Sequence, residues 1–145
     1  MTLHTPYDAD NPFAKILAQE IPAARIAESH RTLALMDAFP QSRGHCLVIP
    51  KSPVTNILDV SRKDLSALID QTQTIARAVD KALSPDGIVI TQFNGAPAGQ
   101  TVFHLHFHII PRYSEAVMAE HASKPADMDE LKALATLIRS HIPKD

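Results

Sequence analysis

Three of the chain's 8 histidines fall within five residues, in the run His104-Leu105-His106-Phe107-His108-Ile109-Ile110. Side chains alternate along an extended strand, so His104, His106 and His108 share one face there, and Phe103, Leu105, Phe107 and Ile109 the other. The second face is wholly apolar and must pack on a core. On the first, successive imidazoles stand roughly 6–7 Å apart, close enough for mutual repulsion to keep most of them neutral near pH 7. Neutral imidazole serves as nucleophile, general base or metal ligand. An anionic substrate would relieve the repulsion and let one ring donate a proton. The plainest alternative is a polar row on the wet side of a half-buried sheet, but no Lys, Glu, Thr or Ser stands among these histidines on that face. Zinc is another. Three consecutive alternating histidines are nearly collinear, however, and a tetrahedral ion needs ligands that converge. The row suits a ligand lying along it.

Short elements must position the row. The polar, turn-rich opening 1–10 reads as a loosely held arm. Asn11-Pro12-Phe13 starts a short helix with a polar cap, a proline in the first turn and Phe13, Ile16 and Leu17 on one side; Ile21-Pro22 ends it. Arg25–Glu28 and Thr32–Asp37 read as strands about the turn Ser29-His30-Arg31, and the turn-like Phe39–Gly44 leads to a third, His45–Pro50. Ser61–Leu83 carries a 3.6-residue apolar stripe, with Ser61 and Asp64 as a shortened capping box and Pro85-Asp86-Gly87 as its stop. Ile88–Gln92 reads as a strand, Asn94–Gln100 as a loop, and Val102–Pro111 as the longest strand. A last helix runs from about Asp127 to Ser140, with acids in its first turn and Arg139 near its end. The order and hairpin-like spacing predict an α+β fold, an antiparallel sheet with helices on one face.

Composition narrows the function. The chain has 145 residues, 45% of them hydrophobic, which is enough for one domain with a sizeable core. The lone Cys46 excludes an internal disulfide framework and a cysteine-rich zinc site, and fits a reducing, cytoplasmic setting. A net charge of −2 argues against nucleic acid as a partner, and no apolar run approaches a bilayer span.

The run from His104 to His108, preceded by Gly99-Gln100-Thr101-Val102 and followed by Pro111-Arg112, resembles the histidine-triad (HIT) family of nucleotide hydrolases and transferases. So do His45-Cys46-Leu47-Val48-Ile49-Pro50-Lys51, Leu33–Asp37, and Phe13-Ala14-Lys15-Ile16 with Glu20-Ile21-Pro22, in the family's order from about Asn11 to Tyr113. The resemblance implies a five-stranded antiparallel sheet per subunit, paired across a two-fold axis into a ten-stranded sheet in a homodimer. The whole is read as one domain, 1–145, with 1–10 an arm and 113–145 a C-terminal segment bearing a helix.

The activity implied is metal-independent attack on the α-phosphorus of a purine nucleotide conjugate, a phosphoramidate, dinucleoside polyphosphate or adenylate, with no cofactor. His106 would become nucleotidylated and water would release the nucleoside monophosphate. His104, His108 and His45 would orient His106 and bond phosphate oxygens. Thr101 matches a leaving-group contact, and Gly99, Gln100 and Asn94 phosphate contacts, with Gln92 competing with Asn94 for that role. Asp37 matches the acid that holds ribose hydroxyls, and Phe13, Ile16 and Ile21 the walls of the purine pocket. Asn11 and Ala14 stand where many members carry the Cys-x-x-Cys of a structural zinc site, so that zinc is not expected. Phe93 stands where a substrate-contacting amide is usual. The segment Tyr113–Pro125, with Glu115, Glu120 and His121, leaves the leaving group unspecified. A nucleotide-binding regulatory module and a zinc-dependent hydrolase are the alternatives.

Among the remaining residues, Cys46 alternates out of phase with His45 and reads as a buried small hydrophobe. Arg112 divides between an ion pair and a phosphate contact; Lys15 and Lys51 read as solvated charges.

Overall fold

A computed structural model describes residues 2–114 and 124–144. The first helix, α1 (Pro12–Leu17), starts where Asn11 accepts the Ala14 N–H in its side chain, with proline in the first turn. Strands β1 (Arg25–Glu28), β2 (Thr32–Met36) and β3 (Cys46–Pro50) follow. Helix α2 (Arg62–Leu83) is capped by Ser61, which accepts the Asp64 N–H, and closes on Ser84 in a left-handed conformation. Then come β4 (Gly87–Thr91), a short 3-10 turn over Ala96–Ala98, β5 (Phe107–Arg112) and α3 (Met128–Arg139), whose cap is Asp127. The segment containing Glu115, Glu120 and His121 lies outside the described residues.

The strands form one antiparallel sheet in the order β1-β2-β3-β5-β4. Alternation sorts its residues. Ala34, Met36, Cys46, Val48, Phe107 and Ile109 join Leu68, Ile75 and Val79 of α2 and Leu131, Ala135 and Ile138 of α3 in the larger core. Leu33, Leu35, Leu47 and Ile49 face the other way, toward Phe13 and Ile16. The helices are therefore not all on one face: α2 and α3 cover one side and α1 the other. Cys46 is buried in the larger core, away from His45, with its thiol donating to the Gly44 carbonyl. Burial pushes that thiol up, out of the reactive range.

The two sheet edges differ. Along β1, Arg139 donates to the Ile26 carbonyl at 2.7 Å and to the Arg25 carbonyl. On β4, Ile90 remains 46% exposed, because α2 packs over β2, β3 and β5. Among the described residues, no helix is long and apolar enough to cross a membrane.

The longest strand is shorter than its alternation predicts: 102–106 is not ladder-paired, and β5 starts at Phe107. The pairs Val48↔Phe107, Leu47↔His108 and Cys46↔Ile109 set the register with β3. Continued, that register would put Leu105 opposite Pro50, which has no N–H to give. The Leu105 N–H instead donates to the Val54 carbonyl, at 2.9 Å. Leu105 still enters the larger core, whereas Phe103 is half-buried outside it.

Candidate active site

The histidines converge on the α1 side of the sheet. His108 lies on β5 beside Leu47, and His45 immediately precedes β3. The His106 and His108 ring centroids stand 4.8 Å apart, closer than strand spacing predicts, with His106 on irregular backbone just before β5. Phe13 packs edge-on against His106 at 4.9 Å and against His104 at 6.1 Å. A cavity of about 500 Å³ opens beside them, lined by Phe13, Ile16, Ile21, Asp37, Gly99, Thr101, His106 and His108. Leu35, Leu47, Phe93 and Val102 line it too.

Hydrogen-bond partners assign the protons. His106 Nδ1 lies 2.7 Å from the His104 carbonyl, which can only accept, so Nδ1 carries the proton and Nε2 the lone pair. His104 Nε2 donates to the Pro50 carbonyl at 2.8 Å, and its Nδ1 accepts from the Tyr7 hydroxyl at 2.6 Å. At His45, Nδ1 accepts the Gln41 N–H at 3.0 Å, so the proton sits on Nε2. That proton faces His108 Nδ1 at 3.0 Å and Asp37 Oδ2 at 3.3 Å. With Nδ1 accepting, neutral His108 carries its proton on Nε2.

Burial sets the charge states. It pushes His45 and His104 down to about 4 and lowers His106, although the His104 carbonyl partly offsets the shift at His106. Desolvation raises Asp37 to about 6, against the Phe39 N–H that its other oxygen accepts. Near pH 7 the histidines His45, His104 and His106 are therefore neutral and Asp37 is ionised. The 3.3 Å contact between Asp37 and His45 is a neutral donor on a carboxylate, not an ion pair.

Asp37, His45 and His108 also bring ligand atoms within 4.8 Å of one another, close enough for a metal ion. A metal on His45 Nε2 would need that nitrogen's lone pair and a proton on Nδ1, where the Gln41 N–H already points. The chemistry of this set fits a hydrogen-bonded chain better than a metal centre.

Several residues singled out in the sequence lie away from the cavity. His104 is fully buried, and both its ring nitrogens are engaged within the protein, so it cannot bond a phosphate oxygen as expected. His45, 1% exposed, is likewise committed to Gln41, His108 and Asp37. Gln100 turns inward: its oxygen accepts the Gly95 N–H at 2.8 Å, and its nitrogen donates to the carbonyls of Thr55 and Val102. It braces the loop rather than reaching a ligand. Asn94 accepts the Ile57 N–H and pairs with Gln92 in both directions. Neither amide lines the cavity; the aromatic ring of Phe93 does. Gly99 has φ 110°, and a Cβ there would sit 3.3 Å from that ring. Tyr7, Gln41 and the Pro50 carbonyl escaped sequence reasoning. Nothing local marks a main-chain group or a tyrosine 97 residues away as a histidine's partner.

A family model for the HIT domain matches residues 18–115. An adenosine 5'-monophosphoramidase of Schizosaccharomyces pombe is 36% identical over 132 residues, spanning 90% of this chain and 96% of that one. An adenylylsulfatase of Arabidopsis thaliana is 31% identical over 140 residues, 92% of this chain and 70% of its own length. The crystal structure of a HIT-like protein from Bartonella henselae superposes with a TM-score of 0.89 at 42% identity, covering 94% of this chain and 99% of that one. The chain belongs to the HIT family.

Proposed function

We propose that the chain is a nucleotidyl hydrolase or transferase that acts without a metal at the α-phosphate of a purine nucleotide conjugate, through a nucleotidyl-His106 intermediate. One observation carries the reading: the His104 carbonyl accepts a hydrogen bond from His106 Nδ1–H, which leaves the nucleophilic lone pair on Nε2 of a ring that lines the cavity. In the first step Nε2 bonds to phosphorus as the bond to the leaving group breaks. The departing atom leaves with the bonding pair, accepts a hydrogen bond from His108 Nε2–H, and takes its proton from solvent. The imidazolium so formed keeps its Nδ1–H on the His104 carbonyl. Water then attacks phosphorus and gives one proton back to solvent, the P–N bond returns its pair to Nε2, and the nucleoside monophosphate is released. Phe13, Ile16 and Ile21 wall the purine, Asp37 meets the ribose, and Thr101 and Gly99 border the phosphate and leaving group. The monophosphoramidase and adenylylsulfatase among its relatives support an AMP conjugate as the substrate class.

A panel of adenosine phosphoramidate, dinucleoside polyphosphates and an adenylate, assayed for AMP release with and without chelator, tests this. Release unaffected by chelation is expected. Tight AMP binding with no release would favour a regulatory module, and activity that follows zinc removal and return would favour a zinc hydrolase.

The same reading has two copies pairing into a ten-stranded sheet, with β4 as the joining edge. Arg139 occupies two main-chain carbonyls of β1, those of Arg25 and Ile26, whereas β4 presents the exposed Ile90, and Ile69 of α2 is also half exposed. Light scattering should return twice the 15.9 kDa chain mass, and Ile90→Asp should shift it toward the monomer. Full activity at the monomer mass would remove the dimer from the proposal.

A further inference from the structure

Residues 2–10 hold the site together rather than trailing from it. The Leu3 carbonyl accepts the side-chain N–H of fully buried Asn56 at 2.9 Å, and the Leu3 side chain lies against Gly95. Asn56 belongs to the segment whose Val54 carbonyl takes the Leu105 N–H and whose Thr55 carbonyl takes Gln100. Four residues after Leu3, the Tyr7 hydroxyl donates to His104 Nδ1 at 2.6 Å, and the two rings meet edge-on at 5.6 Å. Tyr7 precedes both the residues matched by the family model and those that carry the resemblance.

We propose that Tyr7 is a positioning residue for the nucleophile, acting through His104. This role rests on the nucleotidyl-His106 mechanism. A neutral imidazole has one donor and one acceptor nitrogen. The His104 donor is spent on Pro50, so its acceptor, buried with no solvent access, needs an N–H or O–H, and the Tyr7 hydroxyl supplies one. That bond stabilises the neutral ring and holds the peptide whose carbonyl orients His106. It matters most when His106 becomes a nucleotidyl-imidazolium, because a second cation one residue pair away would oppose the charge. The titratable groups facing His104 are Tyr7, which carries Asp8 beside it, and His106. Helix α1 presents Phe13, and β3 the Pro50 carbonyl, while the next residue, Lys51, is paired with Glu28.

Tyr7→Phe removes the hydroxyl and keeps the ring. On adenosine phosphoramidate it should lower kcat roughly five- to tenfold, with KM within twofold. Protonation of His104 becomes easier without its donor, so the acid limb of kcat/KM should move to higher pH. The ¹⁵N resonance of His104 Nδ1 should move toward that of an unbonded acceptor, a readout independent of turnover. Leu3→Ala, which loosens the arm but keeps the hydroxyl, should lower the melting temperature and leave both the resonance and the acid limb in place. Wild-type AMP release with Tyr7→Phe unchanged in kcat and in the His104 resonance would overturn the proposal. So would a Leu3→Ala variant that loses as much kcat as Tyr7→Phe with its acid limb moved equally. An inert wild type with a normal Tyr7-dependent His104 resonance would instead remove the nucleotidyl-transfer reading and, with it, the catalytic part of Tyr7's role.

Discussion

The four site histidines form two pairs secured by different chemistry. His104 and His106 are tied chiefly to main-chain carbonyls, those of Pro50 and of His104 itself. A carbonyl has no proton to give, so each of these rings has one tautomer at any pH where it is neutral. His45 and His108 bond to each other, and Asp37 closes the group. Here one member titrates near neutrality: desolvation raises Asp37 to about 6, inside the range where a bound phosphate or a modest pH change alters it. On the proposed mechanism, the first pair presents a nucleophile of fixed tautomer, and the second an adaptable donor set. Chemistry that passes through one phosphorus but accepts several leaving groups would need both kinds.

The largest expected effect tests the invariant pair. His106→Asn removes the attacking nitrogen and should cost about 10⁴-fold or more in AMP release across every substrate, with the fold retained by circular dichroism. Near-wild-type turnover in that variant would end the nucleophile assignment. His108→Asn should cost less, about 10²-fold, since it removes a charge-stabilising hydrogen bond rather than the covalent partner. Its loss should also depend on the leaving group, steep for poor ones and shallow for good ones. Equal losses on all substrates would erase the distinction drawn between the pairs.

The smallest effect is on stability. Burial lowers His45 and His104 from 6.5 to about 4, so between those pH values the unfolded chain binds two protons that the folded one refuses. Asp37, raised from 3.8 to about 6, binds one proton in the folded state over nearly the same window. Two less one leaves a net proton on the unfolded side, and His106, also lowered, adds in the same direction. Stability is therefore fully present above pH 6.5 and falls as pH drops toward 4, by ~1.4 kcal/mol per pH unit for each net proton. Asp37→Asn deletes the opposing contribution and should steepen the fall. Urea unfolding at pH 7 and pH 5 measures both slopes; a slope unchanged by the substitution would show that Asp37 does not titrate as its burial implies.

Much of this molecule was legible in its residues. Caps at Asn11 and Ser61 and the stop after Leu83 follow from side-chain chemistry within three or four positions, and the structure keeps them. Alternation separated His45 from Cys46 and grouped Leu105, Phe107 and Ile109 in the core. The row of three histidines was visible for the same reason, since side-chain direction on extended backbone depends only on parity.

What the chain alone did not reveal is where each proton sits. That is decided by partners far away in sequence: Tyr7 and Pro50 for His104, and His108 for His45, from 54 to 97 residues distant. The early end of β5, the opposite placement of α1, and the inward turn of Gln100 and Asn94 have the same origin. Each depends on which donor or acceptor another segment leaves unmet once the chain has packed. Residue types and their spacing determined that imidazoles would line one side of a sheet; only the tertiary structure decided which nitrogen of His106 holds its proton, because hydrogen bonds are satisfied in space and not along the chain.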